Sequence, residues 1–553
     1  MIRVPEEPVG RHTGAWRHCV GTGRIELALR RDYQDSLALI QRDIGFRYIR
    51  GHGLLSDGMG VHRPYEHEGA RRVHHAFTYV DQVVDAYLEA GLRPFVELGF
   101  MPYELASGSQ TVFWWRGNVT PPRSYREWAD LVRAVVVHLV DRYGIEEVRT
   151  WPIEVWNEPN LPDFWQDADE KAYHRLYEVT AHTVKDVDAG LQVGGPAISP
   201  GADDWLERFA DFVEQREAPV DFVSKHAYTS GPSQHVPFGV HQTLAPASEL
   251  LDQFATPRER LEGTRLAGLP VHITEFNSSY RPDNLIHDTA FHAAYLAPVL
   301  AHGGDLADSF SYWTFSDMFE EAGVPTGLFH GGFGLLTHRQ VRKPTYHLYA
   351  FMARTGPELL ARGDDHLVTR HPDGRVAVLA WAPVDPTGET AGPDRHELRL
   401  SLPFTTRNSS GAPEAVGTGE AGEADAARQA LEARRNGVRK LVGADADADV
   451  GHVTGDVQEV FVRRSSVDEE HGNAYTTWRH LGSPRSPRLA QLDVLHQASE
   501  PGRSHRRLPV RQGRAELDLV LARHEITLVE LTPVVDETPP WWDERRLLGR
   551  TAP

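Results

Sequence analysis

The sequence is poor in the features that mark secreted, disulfide-stabilised or membrane-spanning proteins. It contains a single cysteine, Cys19, so an intramolecular disulfide and a thiolate-rich metal site are both excluded. No stretch approaches the run of about 18 apolar residues that a transmembrane helix needs. The first residues, MIRVPEEPVGRHTGAW, lack the basic segment and apolar run of a signal peptide. We therefore expect a cytoplasmic protein that does not bind a membrane.

Positive charge is also scarce. The chain has 58 Lys and Arg residues against 78 Asp and Glu residues, which gives a formal net charge of −20. Because phosphate binding needs a basic face, this balance argues against a nucleic-acid partner. The 29 histidines are scattered, without an H-E-x-x-H motif or paired Cys/His spacing. We therefore expect no catalytic metal and no cofactor.

The sequence does contain a regular alternation of short apolar runs and helical patterns, from residue 15 to residue 335. A chain of 553 residues is too long for one hydrophobic core, so more than one domain is expected. Repeated strand–helix units favour a parallel α/β structure, and eight strands in this span predict a (β/α)8 TIM barrel. The predicted strands are Ala15–Val20, Phe46–Arg50, Pro94–Gly99, Ile153–Trp156, Gln192–Gly195, Asp221–Ser224, Val271–Thr274 and Phe310–Trp313. Two of the predicted helices are Tyr125–Tyr143 and Glu170–Val187.

The texture of the sequence changes beyond Lys343. Short alternating segments are separated there by Gly, Pro and Asp clusters, which is typical of antiparallel β structure. We predict a β-sandwich-like accessory domain built from residues 336–533 together with 1–14, and a C-terminal tail at 534–553. Its predicted strands include Val376–Trp381, Glu397–Leu402, Glu459–Arg463 and Ile526–Leu531. An Ala-, Gly- and acid-rich insertion is predicted at about 405–450, with a helix at Ala424–Arg435.

Two glutamates end predicted strands of the barrel. Glu158 closes the fourth strand within WNEPN, and Glu275 closes the seventh within TEFN. Because TIM-barrel active sites lie at the carboxyl ends of the strands, both side chains are expected at one mouth. Pro159 is expected to bias Glu158 toward an extended conformation. Partial desolvation among aromatic neighbours is expected to raise the pKa of its carboxyl group.

Paired carboxylates at one site indicate glycoside cleavage. One carboxyl group donates a proton while the other meets the electron-poor anomeric carbon. A separation of about 5–5.5 Å implies a covalent intermediate and retention of configuration, whereas a wider gap implies inversion. The residues alone leave both stereochemical outcomes open. A single strand-terminal glutamate could also be a helix cap or a salt-bridge partner, but the pair together favours chemistry.

The motifs around these glutamates resemble glycoside hydrolase family 39, the family of β-xylosidases and α-L-iduronidases, and most closely its bacterial β-xylosidases. The motifs are WNEPN followed by LPDFW, ITEFNSSY, YWTFSDMFEE with FHGGFGLL, RGHGLLSD, KPTYH and EEHGNAYTTWRHLGSPRS. NEP alone is shared by many barrel glycosidases, whereas the combination is specific. The resemblance covers nearly the whole chain except the insertion and the tail.

This resemblance implies a retaining mechanism in which Glu158 is the general acid/base and Glu275 is the nucleophile. It implies that Asn157 hydrogen-bonds the sugar 2-hydroxyl, a contact that tightens in the transition state. Tyr228 is expected to donate a hydrogen bond to Glu275 and to hold it ionised. Trp313 resembles the tryptophan that forms the floor of the sugar subsite.

Further substrate-binding residues are predicted around the same mouth. His226 could contact a sugar hydroxyl or orient a carboxylate, while His52 and the segment Phe113–Trp115 are candidates for the entrance or for sugar contacts. Glu320 and Glu321 resemble the acidic pair that binds distal ring hydroxyls. Because such carboxylates would repel a uronic acid, they favour a neutral sugar over an iduronide.

The leading prediction is release of β-D-xylose from the non-reducing end of xylo-oligosaccharides by double displacement. A small carbohydrate is then the main partner, and a homo-oligomer is possible. The same mechanism acting on an α-L-arabinopyranoside, a β-glucoside or an α-L-iduronide is one alternative. A sugar-binding barrel that has lost catalysis is another.

Overall fold

The structure is a computed structural model that describes residues 1–237, 239–387, 394–404 and 457–534. The predicted insertion at 405–450, with its helix at Ala424–Arg435, lies outside the described residues, as does the predicted tail beyond residue 534. Within the described ranges, no helix is long and apolar enough to cross a membrane.

Eight parallel strands close into a barrel, which confirms the predicted fold class. In chain order the strands are β1 (Cys19–Arg24), β2 (Tyr48–His52), β3 (Arg93–Leu98), β4 (Pro152–Val155), β5 (Gln192–Ile198), β6 (Phe222–Tyr228), β7 (Val271–Asn277) and β8 (Ser309–Tyr312). The prediction for the first strand was shifted. Residues Ala15–Arg17 form a short 3-10 helix, and the strand begins only at Cys19.

Each barrel strand is followed by a helix that packs outside it. The eight helices are α1 (Arg31–Asp43), α2 (Thr78–Glu89), α3 (Tyr125–Tyr143), α4 (Glu170–Val187), α5 (Asp204–Gln215), α6 (Ser248–Arg260), α7 (Ala290–His302) and α8 (Pro344–Met352). The ranges of α3 and α4 match the prediction. Side-chain caps explain where these two begin, because Ser124 accepts from the Glu127 N–H at 3.2 Å and Asp169 accepts from the first turn of α4.

A separate, mostly antiparallel sheet follows the barrel, as predicted. Its strands are β9 (Glu358–Arg362), β10 (His366–Arg370), β11 (Val376–Trp381), β12 (Arg395–Pro403), β13 (Glu459–Val467), β14 (Gly502–Arg511), β15 (Arg514–Ala522) and β16 (Ile526–Pro533). Two short N-terminal strands, Ile2–Arg3 and Gly10–Arg11, lie at its opposite edges. Side chains from both halves of the sheet share one apolar core, so the sheet is sandwich-like. The exact domain boundaries stay a prediction.

Two further helices connect β13 to β14 and bear on the barrel. They are α9 (Ala474–His480) and α10 (Leu489–Ala498). Trp478 and Leu495 pack in one apolar cluster with Leu328 and Phe329, which belong to the long segment after β8. This segment carries several of the predicted site residues, so the accessory region supports the barrel mouth from the side.

Candidate active site

The structure brings the two predicted glutamates together at the carboxyl ends of β4 and β7. Both are buried, with 8% of Glu158 and 5% of Glu275 exposed. One carboxylate oxygen of each lies within 4.8 Å of the other and of a ring nitrogen of His226. This spacing agrees with the short separation of retaining glycosidases rather than with the gap that holds a water in inverting ones.

The backbone at Glu158 differs from the expectation. Although Pro159 follows it, Glu158 has φ 45°, in the left-handed region rather than the extended one. Its N–H donates to the Ala197 carbonyl at 3.0 Å, and its own carbonyl accepts from the Leu161 N–H at 3.0 Å. The chain therefore turns sharply after β4, and tertiary hydrogen bonds override the local preference set by proline.

The electrostatic surroundings of Glu158 suit a proton donor. Burial raises the pKa of Glu158 to about 7, and the neighbouring Arg50 and His52 oppose this rise only in part. His226 places Nδ1 2.9 Å from a Glu158 oxygen, and burial lowers the pKa of His226 to about 4. The imidazole is therefore neutral near pH 7, while the carboxyl group is close to half protonated.

Glu275 is held in the opposite way. It lies inside β7 rather than after it, since the strand extends to Asn277. Arg50 donates to one carboxylate oxygen at 2.7 Å, and the Tyr228 hydroxyl donates to the other at 2.9 Å. Burial and the charge of Glu275 raise the pKa of Tyr228 well above its usual range, so the hydroxyl keeps its proton. Two donors on separate oxygens therefore fix the orientation of the Glu275 carboxylate.

Arg50, a residue that the sequence reasoning missed, organises the centre of the site. Its side chain is fully buried and donates to Glu154 at 2.6 Å, Glu275 at 2.7 Å and Asn157 at 2.8 Å. It also lies 3.0 Å from Glu97. The contact with Asn157 engages the amide oxygen, so the amide nitrogen is the group left to face a ligand.

The sequence did carry a signal for this network. Glu97 and Glu154 are the single charged residues of the apolar runs PFVELG and IEVW, and Arg50 ends the run FRYIR on the neighbouring strand. Glu97 and Glu154 are paired in register between β3 and β4. Charges at such positions are costly inside a barrel unless they meet each other, so together they indicate a buried ion network.

His52 lies between Glu275 and Glu321, one member of the predicted acidic pair. Its Nδ1 lies 2.7 Å from Glu97, and its Nε2 lies 3.6 Å from Glu275 and 3.7 Å from Glu321. Burial raises the pKa of Glu321 well above its usual range, and the charges of Glu275 and other nearby carboxylates raise it further. Burial and the nearby negative charges therefore favour the protonated form of Glu321.

The structure separates Glu320 from Glu321. The Glu320 carboxylate is buried against Arg24 at 3.0 Å and Arg30 at 3.3 Å, away from the catalytic group. The predicted repulsion of a uronic acid is therefore weakened, because Glu320 is paired with two guanidinium groups and burial favours the protonated form of Glu321. Adjacent residues on an irregular segment point to opposite sides, which spacing in the sequence does not reveal.

Aromatic side chains line the same pocket. The Trp313 ring lies 4.8 Å from the His52 ring, and the Phe113 ring lies 5.7 Å from it, measured between centroids. Trp313 can occupy this place because Gly21 on β1 has no side chain. A Cβ atom there would come within 2.3 Å of the indole ring. Flat apolar faces of this kind pack against the C–H faces of a sugar.

The trio Glu158, His226 and Glu275 has the donor atoms that a cation could also use. However, the Arg50 guanidinium is bonded 2.7 Å from one Glu275 oxygen, and its charge opposes a second cation beside it. Two closely spaced, buried carboxyl groups with different hydrogen-bond partners at the mouth of a TIM barrel instead indicate a glycoside hydrolase site.

The family follows from the sequence comparison. The profile described as "Glycosyl hydrolases family 39" matches residues 1–390, and the chain belongs to this family, whose mechanism retains the anomeric configuration. The chain is 44% identical over 541 residues to a beta-xylosidase of Geobacillus stearothermophilus, covering 97% of this chain and 96% of the relative. It is 32% identical over 495 residues to a beta-xylosidase of Caldicellulosiruptor saccharolyticus, covering 89% and 90%.

A solved structure supports the same assignment. The crystal structure of a monomeric beta-xylosidase from Caulobacter crescentus CB15 superposes with a TM-score of 0.78 at 30% sequence identity. The similarity covers 96% of this chain and 99% of that one, so it includes both the barrel and the accessory sheet.

Proposed function

We propose that the chain is a retaining exo-β-D-xylosidase in which Glu158 is the general acid/base and Glu275 the nucleophile. The observation that carries the assignment of roles is the contrast between the two carboxyl groups. Burial raises the pKa of Glu158 to about 7, while Glu275 accepts hydrogen bonds from Arg50 and Tyr228. The choice of a xyloside is supported by the identity of 44% to a curated beta-xylosidase along almost the full length of both chains.

In the first step the glycosidic C1–O bond breaks. A Glu275 oxygen forms a bond to C1 from one face of the sugar, and Glu158 delivers its proton to the departing oxygen on the other side. His226 beside Glu158 is neutral, so it adds no positive charge that would favour the ionised form of Glu158. The products are a covalent xylosyl ester on Glu275 and an alcohol whose hydroxyl proton came from Glu158.

In the second step water replaces the alcohol. Glu158, now a carboxylate, takes a proton from the water, whose oxygen bonds to C1 while the Glu275 ester bond breaks. We propose that the Asn157 amide nitrogen binds the sugar 2-hydroxyl, since Arg50 already engages the amide oxygen. Trp313, His52 and Glu321 are proposed to hold the rest of the ring.

The direct test is hydrolysis of an aryl β-xyloside by the purified chain. Glu275→Gln should abolish release of the phenol, since it removes the nucleophile but keeps the size of the side chain. Azide should restore activity to Glu275→Gly and give an α-xylosyl azide, because only a missing nucleophile is replaced in this way. If the unmodified chain does not cleave the xyloside, or if Glu275→Gln cleaves it equally well, the proposal is wrong.

A second candidate keeps the mechanism and changes the sugar. The raised pKa of Glu321 and the ion pairs of Glu320 weaken the electrostatic objection to an α-L-iduronide. An α-L-arabinopyranoside and a β-glucoside differ from a xyloside only in ring substituents. A panel of aryl glycosides separates these cases by kcat/KM, and we expect the xyloside to lead. The cytoplasmic location and a homo-oligomeric state stay predictions.

A further inference from the structure

A short hairpin in the connection from β3 to α3 presents an aromatic tip at the barrel mouth. Thr111–Val112 pairs with Gly117–Asn118, and the four residues between them read FWWR. Phe113 and Trp115 pack against each other and against Phe100. Trp114, between them, is 57% exposed. Its indole ring makes no ring–ring contact with any other described residue.

The hairpin spans the mouth between the acid/base and the segment after β8. On one side, the Gln110 side chain donates to the Pro162 carbonyl at 2.6 Å in the loop that follows Glu158. The Phe113 ring also meets the Phe164 ring of that loop at 5.3 Å. On the other side, the Trp114 N–H donates to the carbonyl of Glu321 at 2.7 Å. Trp114 is therefore held at the rim by its backbone while its side chain faces outward.

The backbone on either side of Trp114 is in an uncommon conformation. Phe113 has φ 64° and Arg116 has φ 59°, both in the left-handed region that disfavours residues with a side chain. Such conformations persist where the surroundings over-determine them, and they cluster at ligand-binding sites. At this tip they turn Phe113 inward to the His52 ring, 5.7 Å away, and leave Trp114 on the surface.

The proposed reaction places a second sugar near this tip. The sugar that is cleaved occupies the buried pocket, and the leaving sugar must extend outward from the oxygen that Glu158 protonates. The loop after Glu158 contacts the hairpin directly. We propose that Trp114 forms the binding platform for the leaving-group sugar, a neutral pyranose that packs its C–H face on the exposed indole ring. This inference rests on the glycosidase function proposed above.

A platform for the leaving group has a specific kinetic consequence. It contributes to cleavage of substrates whose leaving group is a sugar, and not to substrates whose leaving group is too small to reach the rim. Xylobiose and β-D-xylosyl fluoride form such a pair, because both place the same xylose in the buried pocket. Only xylobiose would contact Trp114.

The experiment measures kcat/KM for both substrates with the full-length chain and with Trp114→Ala. Loss of the stacked ring should lower kcat/KM for xylobiose about fivefold to tenfold and change the value for xylosyl fluoride less than about twofold. Trp114→Phe should recover most of the loss because it keeps a flat face. Tyr103→Ala is the matched control. Tyr103 is 61% exposed on the same β3–α3 connection, and its loss should affect neither substrate.

Transfer to an added acceptor gives an independent measurement. Xylose or xylobiose captures the covalent intermediate by binding where the leaving group was, so Trp114→Ala should lower the ratio of transfer to hydrolysis with xylosyl fluoride as donor. An equal loss on both substrates, or an unchanged transfer ratio, would overturn the platform while leaving the glycosidase function intact. A change of molar mass in light scattering on Trp114→Ala would also overturn it, in favour of contact between copies of the chain. A wild-type chain that cleaves neither substrate would instead refute the proposed function.

Discussion

Arg50 and Lys343 are two buried cations of the barrel, and each is paired with buried carboxylates in a different place. Arg50 lies at the centre of the mouth and bonds Glu154, Glu275 and Asn157. Lys343, just before α8, has Nζ 2.6 Å from Asp288 and 2.7 Å from Asp317. Both side chains are fully buried among acidic groups. Arg50 holds the carboxylate of Glu275, the proposed nucleophile, whereas Lys343 holds together the segments that carry Asp288 and Asp317.

The difference between the two sites follows from the shape of each cation. The planar guanidinium of Arg50 has several donors in fixed directions, so it orients a nucleophile and an amide at the same time. The ammonium of Lys343 acts as a compact charge that gathers segments. Asp288 also accepts from the Gly331 N–H and Asp317 from the Gly334 N–H, each at 2.7 Å. Arg50 therefore orients the groups that it bonds, whereas Lys343 neutralises two aspartates and joins the segments that carry them.

The largest effect is expected from Arg50→Met, which breaks the first site. Glu97, Glu154 and Glu275 would be left buried without a cation, which costs about 3–5 kcal/mol of the free energy of unfolding. Loss of the donor to Glu275 should lower kcat for an aryl xyloside by a further about 100- to 1,000-fold. Denaturant unfolding and steady-state kinetics measure the two effects separately.

Arg50→Lys sharpens the same comparison. The substitution restores the positive charge without the planar set of donors, so it should recover more of the stability than of kcat. If the lysine variant recovers both equally, Arg50 acts as a point charge and the contrast with Lys343 is wrong.

How much of this could be predicted from the sequence depends on whether a residue acts through its own strand or through a distant partner. Glu158 and Glu275 were found because each ends an apolar run that predicts a barrel strand. Arg50 lies in such a run as well, but its partner Glu275 is 225 residues away, and that pairing exists only after the barrel closes. The ion pairs of Glu320 were not predicted for a related reason, because Arg24 ends β1 and Arg30 lies in the connection after it.

A smaller effect on activity is expected from Lys343→Met. Two buried aspartates would lose their cation, so the free energy of unfolding should fall by about 3 kcal/mol. The segment that carries Trp313 and Glu321 would then be less well fixed, which should raise KM several-fold and change kcat less. Lys343→Arg is the control, because it keeps the charge at the cost of a larger side chain. A loss of kcat as large as that of Arg50→Met would show that both cations serve the chemistry directly.

Glu158→Gln should change how stability depends on pH. The pKa of Glu158 is about 7 in the folded chain, above its ordinary value of 4.5, so folding favours the protonated form. Below about pH 4.5 both states are protonated and the group has no effect on stability. As pH rises toward 7 the unfolded chain ionises first, which destabilises the fold by up to about 3 kcal/mol.

Glu158→Gln removes this ionisation, so its stability relative to the wild type should rise between about pH 4.5 and 7 and stay level above that range. Denaturant unfolding at pH 4.5, 6 and 8 measures the difference. A difference that is independent of pH would mean that Glu158 ionises as easily in the folded chain as in water.

The smallest expected effect is a shift in the pH at which activity declines, and this shift separates the two cations. In the free enzyme, kcat/KM for the aryl xyloside should fall above about pH 7 as Glu158 loses its catalytic proton, by about tenfold for each pH unit. The charge of Arg50 lowers the pKa of Glu158. In Arg50→Met, the alkaline limb of the profile, where activity declines, should therefore lie at higher pH than in the wild type. Lys343 is not among the groups that shift Glu158, so Lys343→Met should keep the limb within about 0.3 pH units of the wild type. A Lys343→Met profile that moved together with that of Arg50→Met would mean that the segment after β8 sets the environment of the acid, and the two cations would then form one electrostatic unit.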